Sequence, residues 1–218
     1  LVSEAGYDGV EFAGFYGKTP EEMKALLEKY KLTAVSAHIG AAAVEENLPY
    51  IDALGIKYVF IPWAGTDTFT SPEKYAELLE ETKKAKALLD ARGIVFGYHN
   101  HAHEYEGGSD YIGKITKDAG IKAELDVFWA TVAGKDAVAE MKRLTGTLSL
   151  VHIKEAAEKD PVHNPQPIVG EGAVDMKGVF AEAKAQGIPW AILEVEHYPC
   201  GEAEYLKKSL DNMKKLAK

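Results

Sequence analysis

The sequence predicts a parallel β/α barrel, and three observations carry that prediction. Short apolar runs alternate with amphipathic stretches from one end of the chain to the other. Glycines recur where a helical stretch gives way to the next apolar run. Four consecutive runs end in imidazole or carboxylate side chains, which a barrel of parallel strands gathers on one face.

The elements follow in order. Leu1–Gly6 reads as the tail of a helix, with Gly6 free to adopt the left-handed conformation that closes it. Strands are expected near 8–12, 32–39, 57–63, 94–101, 121–129, 148–154 and 190–197. The first two lead to Glu11 and His38. Between them, Thr19-Pro20-Glu21-Glu22 offers an N-cap, a proline at the first helical position and a capping-box glutamate. Met23, Leu26, Leu27 and Tyr30 then fall at helical spacing. Gly55 ends the next helix, and Tyr58-Val59-Phe60-Ile61 is continuously apolar, as a strand buried on both faces requires; Trp63 closes that run. Ser71-Pro72-Glu73 repeats the cap and the proline, followed by Tyr75, Leu78, Leu79 and Thr82 at helical spacing. Gly93, Gly120 and Gly187 mark three further returns into strands. Tyr205, Leu206, Leu210 and Met213 form the apolar stripe of a final helix. Repeated β-helix-β units with such short returns imply a right-handed parallel winding. An open doubly wound sheet is the structural alternative, but no glycine-rich phosphate loop follows an early strand to support a nucleotide-binding version of it.

The chain has 218 residues, 46% hydrophobic and 27% charged, which suits one globular domain over 1–218. No apolar run approaches the roughly 20 residues that span a bilayer. The formal net charge is −9 and no basic patch is evident, so neither a nucleic acid nor a membrane is the expected partner. The single cysteine, Cys200, excludes an internal disulfide and fits a reducing, cytoplasmic setting. A leader removed before Leu1 is compatible with the sequence.

The chemistry concentrates in Val95–His101, Ala123-Glu124-Leu125-Asp126, Leu150-Val151-His152-Ile153-Lys154 and Ile192-Leu193-Glu194-Val195-Glu196. Strand alternation puts residues two apart on one side. His99 pairs with His101, Glu124 with Asp126, His152 with Lys154, and Glu194 with Glu196. Burying these groups uncompensated costs several kcal/mol each, which a bound cation offsets. Imidazole and carboxylate together suit Mn²⁺, Co²⁺, Zn²⁺ or Fe²⁺ better than Ca²⁺. Trp63 and Trp129 could form the apolar wall of a sugar pocket, or simply belong to the core. Glu104, in His103-Glu104-Tyr105, lies just past its expected strand, where it could reach a substrate. The proline-rich stretch Asp160–Pro167, followed by Gly170-Glu171-Gly172, reads either as a lid or as a plain surface loop.

Gly6-Tyr7-Asp8-Gly9-Val10-Glu11-Phe12, Tyr98-His99-Asn100-His101, Glu124-Leu125-Asp126-Val127-Phe128-Trp129, His152-Ile153-Lys154-Glu155 and Gly170-Glu171-Gly172 with Asp175 resemble the xylose isomerase-like TIM barrel superfamily. More narrowly, they resemble its sugar phosphate isomerase/epimerase branch. The resemblance runs over essentially the whole chain. It implies one divalent metal (Mn, Co, Zn, Fe or Mg) held at the ends of strands five to eight, with the ligands His99, Asp126, His152 and Glu194 here. The family's usual strand-five ligand is glutamate; His99 stands in its place. That departure points away from a simple two-glutamate proton shuttle and toward members that dehydrate keto-inositols and related keto-sugars, whose strand five is also histidine-rich. Lys154 replaces a histidine common among the epimerases. Relatives begin with a strand and helix that precede Leu1, so Glu11, His38 and Trp63 correspond to the ends of strands two to four. A gap left there would be closed either by shifting strands or by a partner chain in a homo-oligomer.

The resulting expectation is a metal-dependent enzyme acting next to a carbonyl on a sugar or polyol-like substrate. Glu194, Glu196, His99 and His101 are the candidate acids and bases, with Lys154 meeting oxyanion charge. Glu11, His38, Trp63, Glu104 and Trp129 are candidate substrate contacts. Isomerisation, epimerisation and dehydration share the first proton abstraction. A nucleic-acid repair endonuclease and a non-catalytic sugar- or metal-binding barrel are the rival readings.

Overall fold

A computed structural model describes residues 1–218. In chain order the elements are α1 (Val2–Ala5), β1 (Gly9–Phe12), α2 (Pro20–Tyr30), β2 (Thr33–His38), α3 (Val44–Leu54), β3 (Tyr58–Ile61), α4 (Thr66–Thr70), α5 (Pro72–Asp90), β4 (Val95–His99), α6 (Tyr111–Ala119), β5 (Lys122–Asp126), α7 (Val127–Val132), α8 (Ala137–Arg143), β6 (Leu148–Ile153), α9 (Met176–Gln186), β7 (Ala191–Leu193) and α10 (Glu202–Leu216). Short 3₁₀ segments lie at Ala41–Ala43 and within His103–Gly108, the latter interrupted by a kink at Glu106 and Gly107. The seven strands are hydrogen-bonded in chain order, β1 to β7, as an uninterrupted β-helix-β repeat dictates. The chain divides into two compact units, Asp8–His99 with Asp110–Ala123, and Leu1–Tyr7 with Asn100–Ser109 and Glu124–Lys218.

In the first unit, β1 to β4 pair in parallel, with a register shift between Val10 and Glu11. Val59 and Phe60 are fully buried, in keeping with an apolar run covered on both faces. Gly97 pairs with Phe60 across β3 and β4. A Cβ at that glycine would meet the Phe60 ring at 2.6 Å and the Lys122 carbonyl at 2.8 Å, so no larger residue fits without backbone movement. Tyr98, the next residue, is buried; its hydroxyl accepts from the Ala64 N–H at 3.1 Å, and Phe69 of α4 meets its ring edge-on. The expected capping box forms, with Thr19 and Glu22 exchanging side-chain and backbone bonds at the start of α2. Gly55 and Gly120 take the left-handed conformation at helix ends.

In the second unit, β6 and β7 pair in parallel, with His152 opposite Ile192. Leu150, Val151 and Ile153 are fully buried. Asp175 caps α9 through the Gly178 N–H, and Gly187 closes it in the left-handed conformation. Tyr7 ties the N-terminal segment to α10 by donating to the Leu206 carbonyl at 3.0 Å.

Several expected strands overrun their true ends. The run over 121–129 stops at Asp126, because its carboxylate accepts from the Trp129 N–H at 2.9 Å and starts α7. Val127, Phe128 and Trp129 are therefore the apolar first turn of a helix, and Trp129 does not end a strand. The run over 94–101 stops at His99, so His101 lies in a loop and does not share a strand face with His99. The run over 190–197 stops at Leu193, and Glu194 and Glu196 lie beyond it. Trp63 likewise follows β3, which ends at Ile61, and the residue is 60% exposed.

Candidate metal and acid–base site

The second unit assembles most of the expected site residues. Glu124 and Asp126 come from the end of β5, His152 from β6, and Glu194 from the residue after β7. All but Glu194 are buried. The His152 Nδ1 lies 2.5 Å from Glu194 Oε2 and 3.9 Å from Asp126 Oδ2, while its Nε2 lies 3.3 Å from Glu124 Oε2. One imidazole thus faces three carboxylates. Glu124 fits as the acceptor of an Nε2–H, which leaves Nδ1 directed toward Asp126 and Glu194.

Asp126 is held by more than its capping role. The Asn100 side chain clasps its backbone: Oδ1 accepts from the Asp126 N–H at 2.9 Å, and Nδ2 donates to the Asp126 carbonyl at 3.3 Å. Burial pushes the Asp126 carboxyl up to about 6, reinforced by the nearby Glu194 charge and opposed by Lys154 and His152. Such crowding of acids around a buried imidazole is the electrostatic condition that a divalent cation relieves.

Lys154 follows β6 and is completely buried. Its ammonium lies 3.0 Å from Glu194 Oε1 and 3.0 Å from Glu196 Oε1. The rings of Phe128 and Trp129 stand 4.8 and 4.9 Å from the same nitrogen. Burial alone would favour the neutral amine, but Asp126, Glu194 and Glu196 together outweigh it and raise the pKa, so this lysine stays a cation.

His101 and Glu104 form a neighbouring group. The buried Glu104 accepts the His101 backbone N–H at 2.7 Å and lies 3.2 Å from His103 Nε2. The His101 ring stands 5.2 Å from the Trp129 ring. In the first unit, Glu11 Oε1 lies 3.0 Å from His38 Nε2, and its Oε2 accepts from the Ser36 hydroxyl at 2.5 Å. The His38 and His99 rings are 4.8 Å apart.

Three buried residues outside the sequence-based set hydrogen-bond backbone groups next to these side chains. Asn100, the amide between two histidines, is visible in the sequence, but nothing local marks it as a backbone clasp. Glu155 and Gln166 act through backbone groups, which leave no spacing pattern in a sequence.

The donor set fits a divalent metal of the borderline kind: one imidazole with carboxylates, already converged and largely desolvated. Asp126, His152 and Glu194 would hold it within this unit. No helix is long and apolar enough to cross a membrane.

Comparison with known proteins agrees with this architecture. A curated inosose dehydratase from Mesomycoplasma hyopneumoniae is 22% identical, over 99% of this chain and 86% of its own length. A solved sugar phosphate isomerase/epimerase from Parabacteroides distasonis superimposes with a TM-score of 0.77 at 23% identity, covering 100% of this chain and 87% of its own. A probable 3-DHS dehydratase from Bacillus anthracis superimposes with a TM-score of 0.76 at 14% identity, covering 98% and 90%. Likeness at these identities speaks for the fold. The model of the xylose isomerase-like TIM barrel family matches residues 1–216, and the chain belongs to that family.

Proposed function

We propose that this protein is a divalent-metal-dependent enzyme that abstracts a proton next to a carbonyl of a sugar or polyol-like substrate, returning it as an isomerase or epimerase. The observation that carries the reading is the cluster of Asp126, His152 and Glu194 beside the buried cation Lys154. Asp126, His152 and Glu194 would hold the metal, with His99 added from the sequence as the fourth ligand. When bound, the ion supplies Lewis acidity toward adjacent substrate oxygens. Lys154 offers fixed positive charge where enediolate charge develops. Its raised pKa disfavours a Schiff-base role, which needs the neutral amine. Glu196 is the base: it is 47% exposed, so a substrate reaches it, and its carboxylate is oriented by Lys154 at 3.0 Å. His101 is the second proton carrier, its backbone set by Glu104. Trp129 contributes an apolar wall, and Glu11, His38, Trp63 and Glu104 remain the proposed substrate contacts.

A second reading, dehydration of a keto-inositol or keto-sugar, starts with the same abstraction and ends with expulsion of a β-hydroxyl. Curated relatives that dehydrate inosose favour it. Metal analysis combined with turnover on a panel of keto-sugars and inososes tests both. Carbon-bound deuterium exchange without loss of water supports the isomerase, and an enone product supports the dehydratase. A metal-loaded protein that does neither refutes the enzyme reading.

A further inference from the structure

Beyond the groups that face the substrate, the connection between β6 and α9 is built around one buried carboxylate. Glu155, next to Lys154 in the chain and itself fully buried, accepts the backbone N–H groups of Ala156 and Val174 at 3.0 Å and of Gly170 at 2.9 Å. The packing there is tight: a Cβ on Gly172 would meet the Ala156 carbonyl at 2.4 Å and Glu155 Oε1 at 2.6 Å. Gly-Glu-Gly is therefore folded onto Glu155, and the segment before it is pinned to α10. Tyr205 donates to the Pro167 carbonyl at 3.2 Å and Asn212 to the Val169 carbonyl at 2.9 Å.

The same segment carries Gln166, which is only 1% exposed. Its Oε1 accepts both the Glu196 N–H at 3.2 Å and the His197 N–H at 2.7 Å. Its backbone N–H donates to the His197 carbonyl at 2.9 Å, so main chain and side chain alike join the two segments.

We infer that Glu155 and Gln166 are positioning residues: Glu155 folds the 156–175 connection, and through Gln166 that connection fixes the backbone of Glu196 so that its carboxylate meets Lys154. This rests on the proposed role of Glu196 as the base. Glu196 lies beyond the end of β7, where no strand ladder holds it. Its side chain is half exposed, yet it stays 3.0 Å from Lys154. Gln166 supplies the backbone bonds that the strand no longer does.

The test is Gln166→Met, which keeps the bulk and removes the acceptor, alone and combined with Glu196→Gln. In the Mn²⁺-loaded protein, assayed on the keto-sugar or inosose that the wild type turns over, Gln166→Met is expected to lower kcat about tenfold with KM little changed, as misplacement of a reacting group does. In the Glu196→Gln background it should add nothing, because both changes act through one carboxylate. Amide hydrogen exchange supplies a readout independent of turnover. The Glu196 and His197 amides should exchange about tenfold faster in Gln166→Met, and the Gly170–Val174 amides likewise in Glu155→Gln. Wild-type kcat in Gln166→Met, or a loss that multiplies with that of Glu196→Gln, overturns the inference. So does unchanged exchange at Glu196 and His197. If the wild-type protein turns over no substrate, the proposed function fails, and the exchange measurements alone decide whether the clamp exists.

Discussion

Replacing Lys154 with methionine separates charge stabilisation from metal holding. Methionine approximates the length and apolar stem of lysine, so the Phe128 and Trp129 contacts are largely kept. What disappears is one positive charge 3.0 Å from each of two carboxylates. At an effective dielectric of about 20, each such pair is worth roughly 5 kcal/mol of Coulomb attraction, most of it offset by the cost of burying the ammonium. Removing one partner of a buried pair costs about 3–5 kcal/mol when the other stays dry. Glu194 and Glu196 are 28% and 47% exposed, so water recovers part of this. The metal-free variant should therefore lose about 1–3 kcal/mol in denaturant unfolding. Metal binding should survive or tighten, since a competing cation beside Glu194 has gone. Turnover should fall by about 10²–10³, the usual effect of losing one stabiliser of oxyanion charge. Mass-spectrometric metal content and steady-state kinetics on the same preparation check both halves. Loss of metal as complete as in a ligand variant, or turnover within about threefold of wild type, refutes the reasoning.

Other replacements probe the remaining parts. His152→Ala and Asp126→Ala should each abolish stoichiometric metal while circular dichroism stays near wild type; unchanged metal content would remove both from the ligand set. The raised Asp126 carboxyl makes a pH prediction with opposite signs for the two forms. The folded metal-free protein binds this proton more tightly than the unfolded chain, so this group's contribution to stability declines as pH rises from about 4 to 6. A metal needs the carboxylate, so its affinity should fall about tenfold between pH 7 and pH 5, read by competition with a chelator of known affinity. Gly97→Ala should destabilise the fold by about 2 kcal/mol or more, because its Cβ collides with the Phe60 ring and the Lys122 carbonyl. Its thermal unfolding midpoint should drop by several degrees.

The strands and their order were legible in the sequence for a physical reason. Continuous apolar runs and left-handed glycines are local signals, and Gly55, Gly120 and Gly187 do close helices before strands. The ends were harder to place. Val127-Phe128-Trp129 is as apolar as the strand before it, so hydrophobicity alone extended β5, although Asp126 followed by a turn's worth of apolar residues is also an N-cap signal. Asn100 and Gln166 were out of reach for another reason: each works by hydrogen-bonding backbone, and Gln166 does so across about thirty residues of chain. No periodicity encodes such a bond.

The departures from strand alternation coincide with the chemistry. If β7 ran on to His197, Glu194 and Glu196 would stand on one face as equivalent groups. The strand ends at Leu193, and the two carboxylates, both 3.0 Å from Lys154, differ in exposure and in their other partners. Glu194 is held between His152 and Lys154, which suits a ligand. Glu196 is more exposed, also pairs with Lys154, and its backbone N–H donates to Gln166. On the proposed reading, two identical side chains two residues apart acquire different work, one holding and one reacting. They do so because a regular element stops before them and the irregular backbone that follows is fixed by side-chain hydrogen bonds instead.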